Sequence, residues 1–375
     1  MHKQFESAKK TDHKHSFLYE NNDLFYSERK AWSTQKIYSR LVKRRILYLC
    51  SIGLILLICV LTDLLTGPSS YSVKNILSTF FDPNIPITLH VIIYDIRLPA
   101  ALTAVIVGAS LSVAGVQMQT VLYNPLASPF TLGVSAAASF GAALGFVLGV
   151  PLLPSKFITY VIPLNAFIMS MIAVLSIERI ARWRNMSNVL IVLLGTTLVF
   201  AFTALLQALQ YAVPEQALAA VVFWTMGSLS RTDSSQLLFI TAIFLVVTFI
   251  FMRNSWALTA MSLGEVRATA MGIPVARLRL KTIVLSSLLA SVCVAFVGSI
   301  GFIGLIGPHI ARMLVGGEQR FLIPASALCG AALLSAASAT SKIIFTGQVL
   351  PIGIVTSLVG VPLFFILIIR GRPLS

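Results

Sequence analysis

Apolar residues in this chain do not alternate with polar ones. They run in blocks of about 20, the length a helix needs to cross a hydrocarbon layer of roughly 30 Å. Short gaps holding Arg, Lys, Gly, Pro and Asn separate the blocks. The pattern predicts ten spans, near 46–65, 94–118, 130–150, 157–178, 188–213, 236–252, 280–298, 302–316, 322–342 and 350–370. A shorter apolar piece, 217–229, carries Phe223 and Trp224. It is too short to cross, so it is expected as a re-entrant or interfacial helix whose ends protein or a water-filled cavity must cover. Residues 1–45 are polar, mixed in charge and without period. They are expected to form a disordered cytoplasmic tail ending in the basic anchor Lys43-Arg44-Arg45.

Length alone, 375 residues, allows one to three soluble domains. Composition removes that option. With 57% hydrophobic residues, 11% charged residues and a mean hydropathy of +0.88, the chain cannot wrap a core in a polar surface. The expected fold is all-α, a polytopic membrane protein with ten transmembrane helices, a short re-entrant helix and a cytoplasmic coupling helix. Its spans are rich in small residues, as in Gly108-Ala109-Ser110 and Ser335-Ala336-Ala337-Ser338. Helices in lipid associate by close approach at such residues, so a compact bundle is expected.

A net charge of +15 would suggest nucleic acid if the basic residues formed one folded face. Instead, eleven of the 28 Lys and Arg lie in the first 45 residues and most of the rest fall between spans. Ten spans put both termini on one side. With the tail inside, 23 basic residues are inside and only Lys74, Arg97, Lys156, Arg231 and Lys342 are outside, which satisfies the positive-inside rule. The basicity therefore sets orientation. The organisation expected is a tail, 1–45, and a membrane domain, 46–372, with both termini cytoplasmic. The first apolar run has no small-residue cleavage pattern after it, so it is expected to stay as the first span. Cys50, Cys59, Cys293 and Cys329 lie in apolar runs with no C-x-x-C and read as small buried hydrophobes, not metal ligands.

The chain has no G-x-x-x-x-G-K-[ST], so it cannot cradle a nucleotide by a P-loop itself. H-E-x-x-H and G-x-S-x-G are also missing, and Asp63, Asp95 and Glu178 sit close to span ends, which gives little support to ion coupling through mid-span carboxylates. Four clusters remain. Asp95-Ile96-Arg97-Leu98-Pro99 fits a helix start with a snorkelling Arg, or an outward cation awaiting an acidic partner. Gln117-Met118-Gln119 leads into Asn124-Pro125-Leu126-Ala127-Ser128-Pro129, where two prolines end a helix in a tight inner turn. Gly301 to Arg312 holds Gly304, Gly307, Pro308 and His309, a backbone loosened as helices are where they bend or line a cavity. Finally, Leu263 to Met271 is helix-compatible, with Gly272 as cap and Pro274 as stop. It lies within a polar, basic interruption, 253–281, and would present a knob to a soluble partner.

Taken in order, these clusters resemble the permease subunits of binding-protein-dependent ABC importers for iron–siderophores, haem and vitamin B12. The resemblance covers about 46–370 and rests on R-L-P at Arg97, the G-x-x-L-x-x-x-G-x-x-x-Q run from Gly108 to Gln119, and N-P-L-A-x-P at Asn124. It also rests on L-G at Leu263, G-F-x-G-L-x-x-P-H-x-x-R ending at Arg312, and L-P-x-G-x-x-T at Leu350.

The resemblance implies one half of a permease pair in the bacterial inner membrane, with a pathway between the halves. Its partners would be two ATP-binding subunits and a periplasmic or lipoprotein substrate-binding protein. ATP and Mg would be bound by the ATPase partner, with no cofactor or metal in this chain, no catalysis by it and no nucleic acid. Leu263, Gly264, Glu265, Arg267, Ala268 and Gly272 would couple to the ATPase, as the core of a coupling segment, 260–275. Arg97 and Lys342 would dock the binding protein. Gln117, Asn124, Pro125, Gly304, Pro308, His309 and Arg312 would belong to the pathway or its gate. Iron–siderophore is the expected cargo, with haem, vitamin B12 and, less favoured, an ion-coupled carrier as alternatives. The chain departs from the family pattern at Ala100, where R-L-P-R is usual, and at Ser338 and Lys342, where A-D-x-x-x-R is usual. Those departures favour a heterodimer.

Overall fold

In a computed structural model, the residues described are 38–67, 86–148, 155–184, 186–345 and 347–369, together with Lys36, Ile76 and Thr79. Most of the expected tail, Lys74 and the terminal Arg370 and Arg372 lie outside the described residues, as does the side chain of Lys156. The chain divides into two units, 1–50 and 51–375. What is described of the first is the beginning of helix α1, Tyr38–Leu65. The basic anchor is therefore helical, and the helix that carries the expected first span, 46–65, begins earlier, at Tyr38.

The other helices are α2 (Ile87–Leu122), α3 (Val134–Leu148), α4 (Ser155–Arg184), α5 (Asn188–Ala212), α6 (Glu215–Thr225) and α7 (Ser234–Arg253). They are followed by α8 (Ser255–Met261), α9 (Glu265–Ala270), α10 (Val275–Val297), α11 (Ile303–Val315), α12 (Gln319–Ile343) and α13 (Ile352–Ile369). Among the described residues, seven helices are long and apolar enough to cross a membrane, and α3, α11 and α13 are shorter apolar helices in the positions of the other three spans. The protein is a multi-pass membrane protein. Each expected span has its helix.

Close approach at glycine organises the centre. A Cβ on Gly115 of α2 would lie 1.8 Å from the Gly304 carbonyl oxygen of α11, and one on Gly108 would lie 2.4 Å from the Gly330 carbonyl of α12. Helices α2, α11 and α12 therefore meet backbone to backbone, as small residues allow in lipid. Gly115→Ala is expected to destabilise the protein by about 1–3 kcal/mol by overpacking, seen as a lower unfolding midpoint in micelles. By contrast, α1 and α5 bury only 11% of their apolar windows within the chain, which fits lipid or partner contact. Cys293 and Cys329 are buried as expected, whereas Cys50 is exposed and Cys59 half-buried because α1 is so open.

The short apolar piece is α6, with Val221 and Trp224 buried. Its end is covered by protein: Arg231 donates to the carbonyls of Phe223 (2.9 Å) and Trp224 (3.3 Å), and the Gly353 N–H donates to Met226 (2.9 Å).

Candidate functional site

At the end of the bundle where α2 stops and α10 starts, three features come together. The first is the α8–α9 segment. Gly264 begins α9 at φ 109°, and Gly272 ends it at φ 78°. The Gly272 N–H bonds to Thr269 (2.9 Å) and the Ile273 N–H to Ala268 (3.1 Å), the Schellman pattern that a left-handed glycine permits. Ala268, Leu258, Met261 and Ile273 point into the core. Leu263, Val266 and Met271 point out, with Val266 84% exposed, and Arg267 is exposed too. The segment is anchored on one side and open on the other, where Leu263, Val266 and Met271 stand beside the exposed Glu265 and Arg267.

Two polar ties hold this knob. Arg279 of α10 donates to Glu265 at 2.7 Å, with Glu265 53% exposed. Ion pairs open to solvent contribute about 0.2–1 kcal/mol. The second tie is buried. The backbone N–H of Gln319, at the first turn of α12, donates to Thr259 Oγ1 of α8 (3.0 Å); the Gln319 side chain donates to Thr120 Oγ1 (2.8 Å) and accepts from Gln117 Nε2 (3.0 Å), both on α2. Breaking a buried polar contact costs about 1–3 kcal/mol, and the Arg279 end of the first tie is buried as well, its side chain 8% exposed. The residues expected from sequence here, Leu263, Gly264, Glu265, Arg267, Ala268 and Gly272, form one segment. Arg279, Thr259 and Gln319 were missed, because their partners lie far off in sequence.

The second feature is the turn after α2. Tyr123 is left-handed at φ 50°, Asn124 Oδ1 accepts from the Leu126 N–H (2.9 Å), and Asn124 and Pro125 are half-buried. The third is α11, where Arg312 donates to Gln119 of α2 (3.1 Å) and His309 is half-buried. Gln117, Gly304 and Pro308 are buried among helices of this chain. They hold α2, α11 and α12 together, and Gly304 also borders a groove at the start of α11.

A groove of about 390 Å³ opens between the turn after α2, the middle of α5 and the start of α11. Phe130, Phe200 and Phe302 line it with the hydroxyls of Ser128, Thr131 and Thr196, and no ionisable side chain is among its lining residues. Phe302 is held left-handed at φ 65°.

At the opposite end of the bundle, the structure corrects the reading of Arg97 and Lys342 as outward cations. Both are buried. Lys342 donates to Asp63 Oδ1 at 2.7 Å and to the Asp63 carbonyl at 3.0 Å, with Asp63 fully buried. Arg97 donates to the carbonyls of Leu64 and Leu65, each at 3.3 Å. Those carbonyls end α1 without intrahelical partners, as the last turn of any helix does. Both cations therefore fasten α1 to α2 and α12, and the carboxylate that Lys342 meets comes from α1, not from position 338.

Among the described residues, ten apolar helices, three of them meeting at close glycine contacts, with a capped knob at one end, define a multi-pass membrane protein. The chain belongs to the FecCD transport family, which it matches over residues 55–370, and it is an ABC-importer permease of that type. An ABC transporter permease protein of Methanocaldococcus jannaschii is 40% identical over 75% of this chain and 82% of its own length. The molybdate import system permease protein MolB of Haemophilus influenzae is 35% identical over 74% of this chain and 81% of its own. A solved structure described as an inward-facing conformation of a metal-chelate type ABC transporter superposes with a TM-score of 0.76 at 33% identity, covering 86% of this chain and 99% of that one.

Proposed function

We propose that this chain is one half of a permease pair that imports an iron–siderophore complex, driven by ATP hydrolysis in separate subunits. The observation that carries this reading is the knob: α9 is capped by two left-handed glycines and tied to the bundle, yet leaves Leu263, Val266 and Met271 bare. A soluble ATPase cleft would take that surface. Closure of the ATPase dimer would then move α8 and α9 as a block and tilt the spans, a rigid-body form of alternating access. Leu263, Gly264, Glu265, Arg267 and Gly272 would form the coupling surface with the bare Val266 and Met271, while Ala268, expected from sequence as part of that surface, is buried and would anchor it instead. Asn124, Pro125, His309 and Arg312 would sit near the inner gate. This orientation puts the α9 end and both termini in the cytoplasm of a bacterial inner membrane.

The groove supports a chelate over a bare ion. An oxyanion or free metal would need donors or carboxylates to replace its water. Aromatic rings and hydroxyls suit a metal already wrapped in organic ligand. Relatives at 34–36% identity are named for hemin, vitamin B12 and Fe(3+) dicitrate. The test is uptake into proteoliposomes holding this chain with its cognate ATPase and binding protein. ATP-dependent entry of a ⁵⁵Fe-labelled hydroxamate siderophore is expected, with haemin, cyanocobalamin and molybdate entering at least tenfold more slowly. Preference for one of those three would overturn the cargo, and uptake without the ATPase would overturn the mechanism.

A further inference from the structure

Gln319 joins three helices at one buried point. As the first residue of α12 it has a backbone N–H with no partner in its own helix. Its neighbour Glu318 supplies no side-chain cap. Thr259 of α8 takes that place, accepting the N–H at 3.0 Å while its own hydroxyl donates to the Ser255 carbonyl at 2.8 Å. One helix therefore caps another. The Gln319 side chain is 1% exposed and spends both its carboxamide groups on α2, through Thr120 and Gln117.

We infer that Gln319 is a positioning residue for coupling, transmitting displacement of the α8–α9 segment to α2 and α12. This rests on the reading of α9 as the surface the ATPase moves. Only Ser262, Leu263 and Gly264 separate α8 from α9, and the Ser262 and Gly264 N–H groups bond back to α8 carbonyls (3.1–3.2 Å and 3.0 Å), so the two short helices move together. Helix α8 cannot slide along the bundle without breaking the Thr259–Gln319 bond. Once broken, that bond leaves an uncapped N–H in a buried place. Gln117 Oε1 has no partner among the described residues although Gln117 is fully buried. A network satisfied on one side only is a poor device for stability alone. It fits a joint between parts that change their relation.

The experiment compares wild type, Gln319→Leu, Gln319→His and Thr259→Val. Leu removes both the donor and the acceptor; His keeps one of each at similar reach. In the full complex in proteoliposomes, with the ⁵⁵Fe hydroxamate siderophore as probe, the quantity read is cargo moved per ATP hydrolysed. A purely structural role lowers the number of working transporters and leaves that ratio alone. The ratio is expected to fall at least fivefold in Gln319→Leu and Thr259→Val and to stay within twofold of wild type in Gln319→His. An unchanged ratio in the first two overturns the inference.

Hydrogen exchange on the purified full chain needs neither partner nor cargo. Amides at 255–262 are expected to exchange at least tenfold faster in Thr259→Val, which removes the acceptor of the Gln319 N–H, and wild-type protection there also overturns the inference. Thr259→Val, which deletes one hydroxyl at a half-buried position, carries both measurements should Gln319→Leu not fold. If wild type moves no probe, the siderophore reading fails, while exchange still decides the role of Gln319.

Discussion

Lys342→Met is expected to cost about 3–5 kcal/mol of stability, because it leaves the carboxylate of Asp63 charged and unpaired inside the protein. Asp63 is fully buried, and the Lys342 side chain is 9% exposed. Water cannot take over when one partner goes. Removing both charges has a different outcome. Asp63→Leu together with Lys342→Leu replaces a desolvated pair by apolar contact, which is often neutral or stabilising. The double variant should therefore unfold near the wild-type midpoint while Lys342→Met unfolds far below it, measured by denaturant titration in mixed micelles.

The same logic separates anchoring from docking. Were Lys342 a docking cation, its replacement would lower uptake and leave the midpoint unchanged, and that result would sink the anchoring role. Arg97→Glu should likewise lower stability, since it strips the donor from the carbonyls of Leu64 and Leu65 and puts a carboxylate beside them. No charge reversal on a binding protein should restore it.

Val266→Asp is the second large effect, and it should appear in assembly, not in folding. Val266 is 84% exposed on a six-residue helix whose buried contact is made by Ala268. Changing an exposed position that makes no special contact usually alters stability by less than about 0.5 kcal/mol. A residue that acts as an interface hot spot contributes about 2 kcal/mol or more, roughly thirtyfold in affinity, and a carboxylate put in its place must also be desolvated. ATPase subunits should therefore bind membranes carrying the variant about thirtyfold more weakly, with the unfolding midpoint unchanged. Unaltered binding would remove Val266 from the coupling surface.

The legibility of this protein in its sequence follows the range of each signal. Span positions came out within a few residues because hydropathy is summed locally over one membrane crossing. The expected helix at 188–213 is Asn188–Ala212, and that at 302–316 is Ile303–Val315. The helix that carries the first span starts before the apolar run, since Lys43-Arg44-Arg45 reads as a stop to apolar counting although the helix continues through it. Helix α9 was legible for a comparable reason: a left-handed glycine after a short helical stretch is a local device, and Gly272 supplies it.

Partners were not legible. Arg97 and Lys342 read as outer cations although Asp95 is two positions from Arg97, because the groups they meet lie far away in sequence, 33 and 32 residues off for Arg97. The carboxylate facing Lys342 lies 279 residues away, and Gln117 meets Gln319 across 202 residues. Hydropathy, caps and charge bias thus determined from sequence alone that the chain is a helical protein of many spans with a knob between α7 and α10, while its motifs in order carried the resemblance to a permease. Only the tertiary structure decided which polar side chains inside it are ties and which are open to a partner. That choice depends on which helix faces come together, and in a membrane those faces are selected by close packing at Gly108, Gly115, Gly304 and Gly330, whose contacts no local pattern encodes.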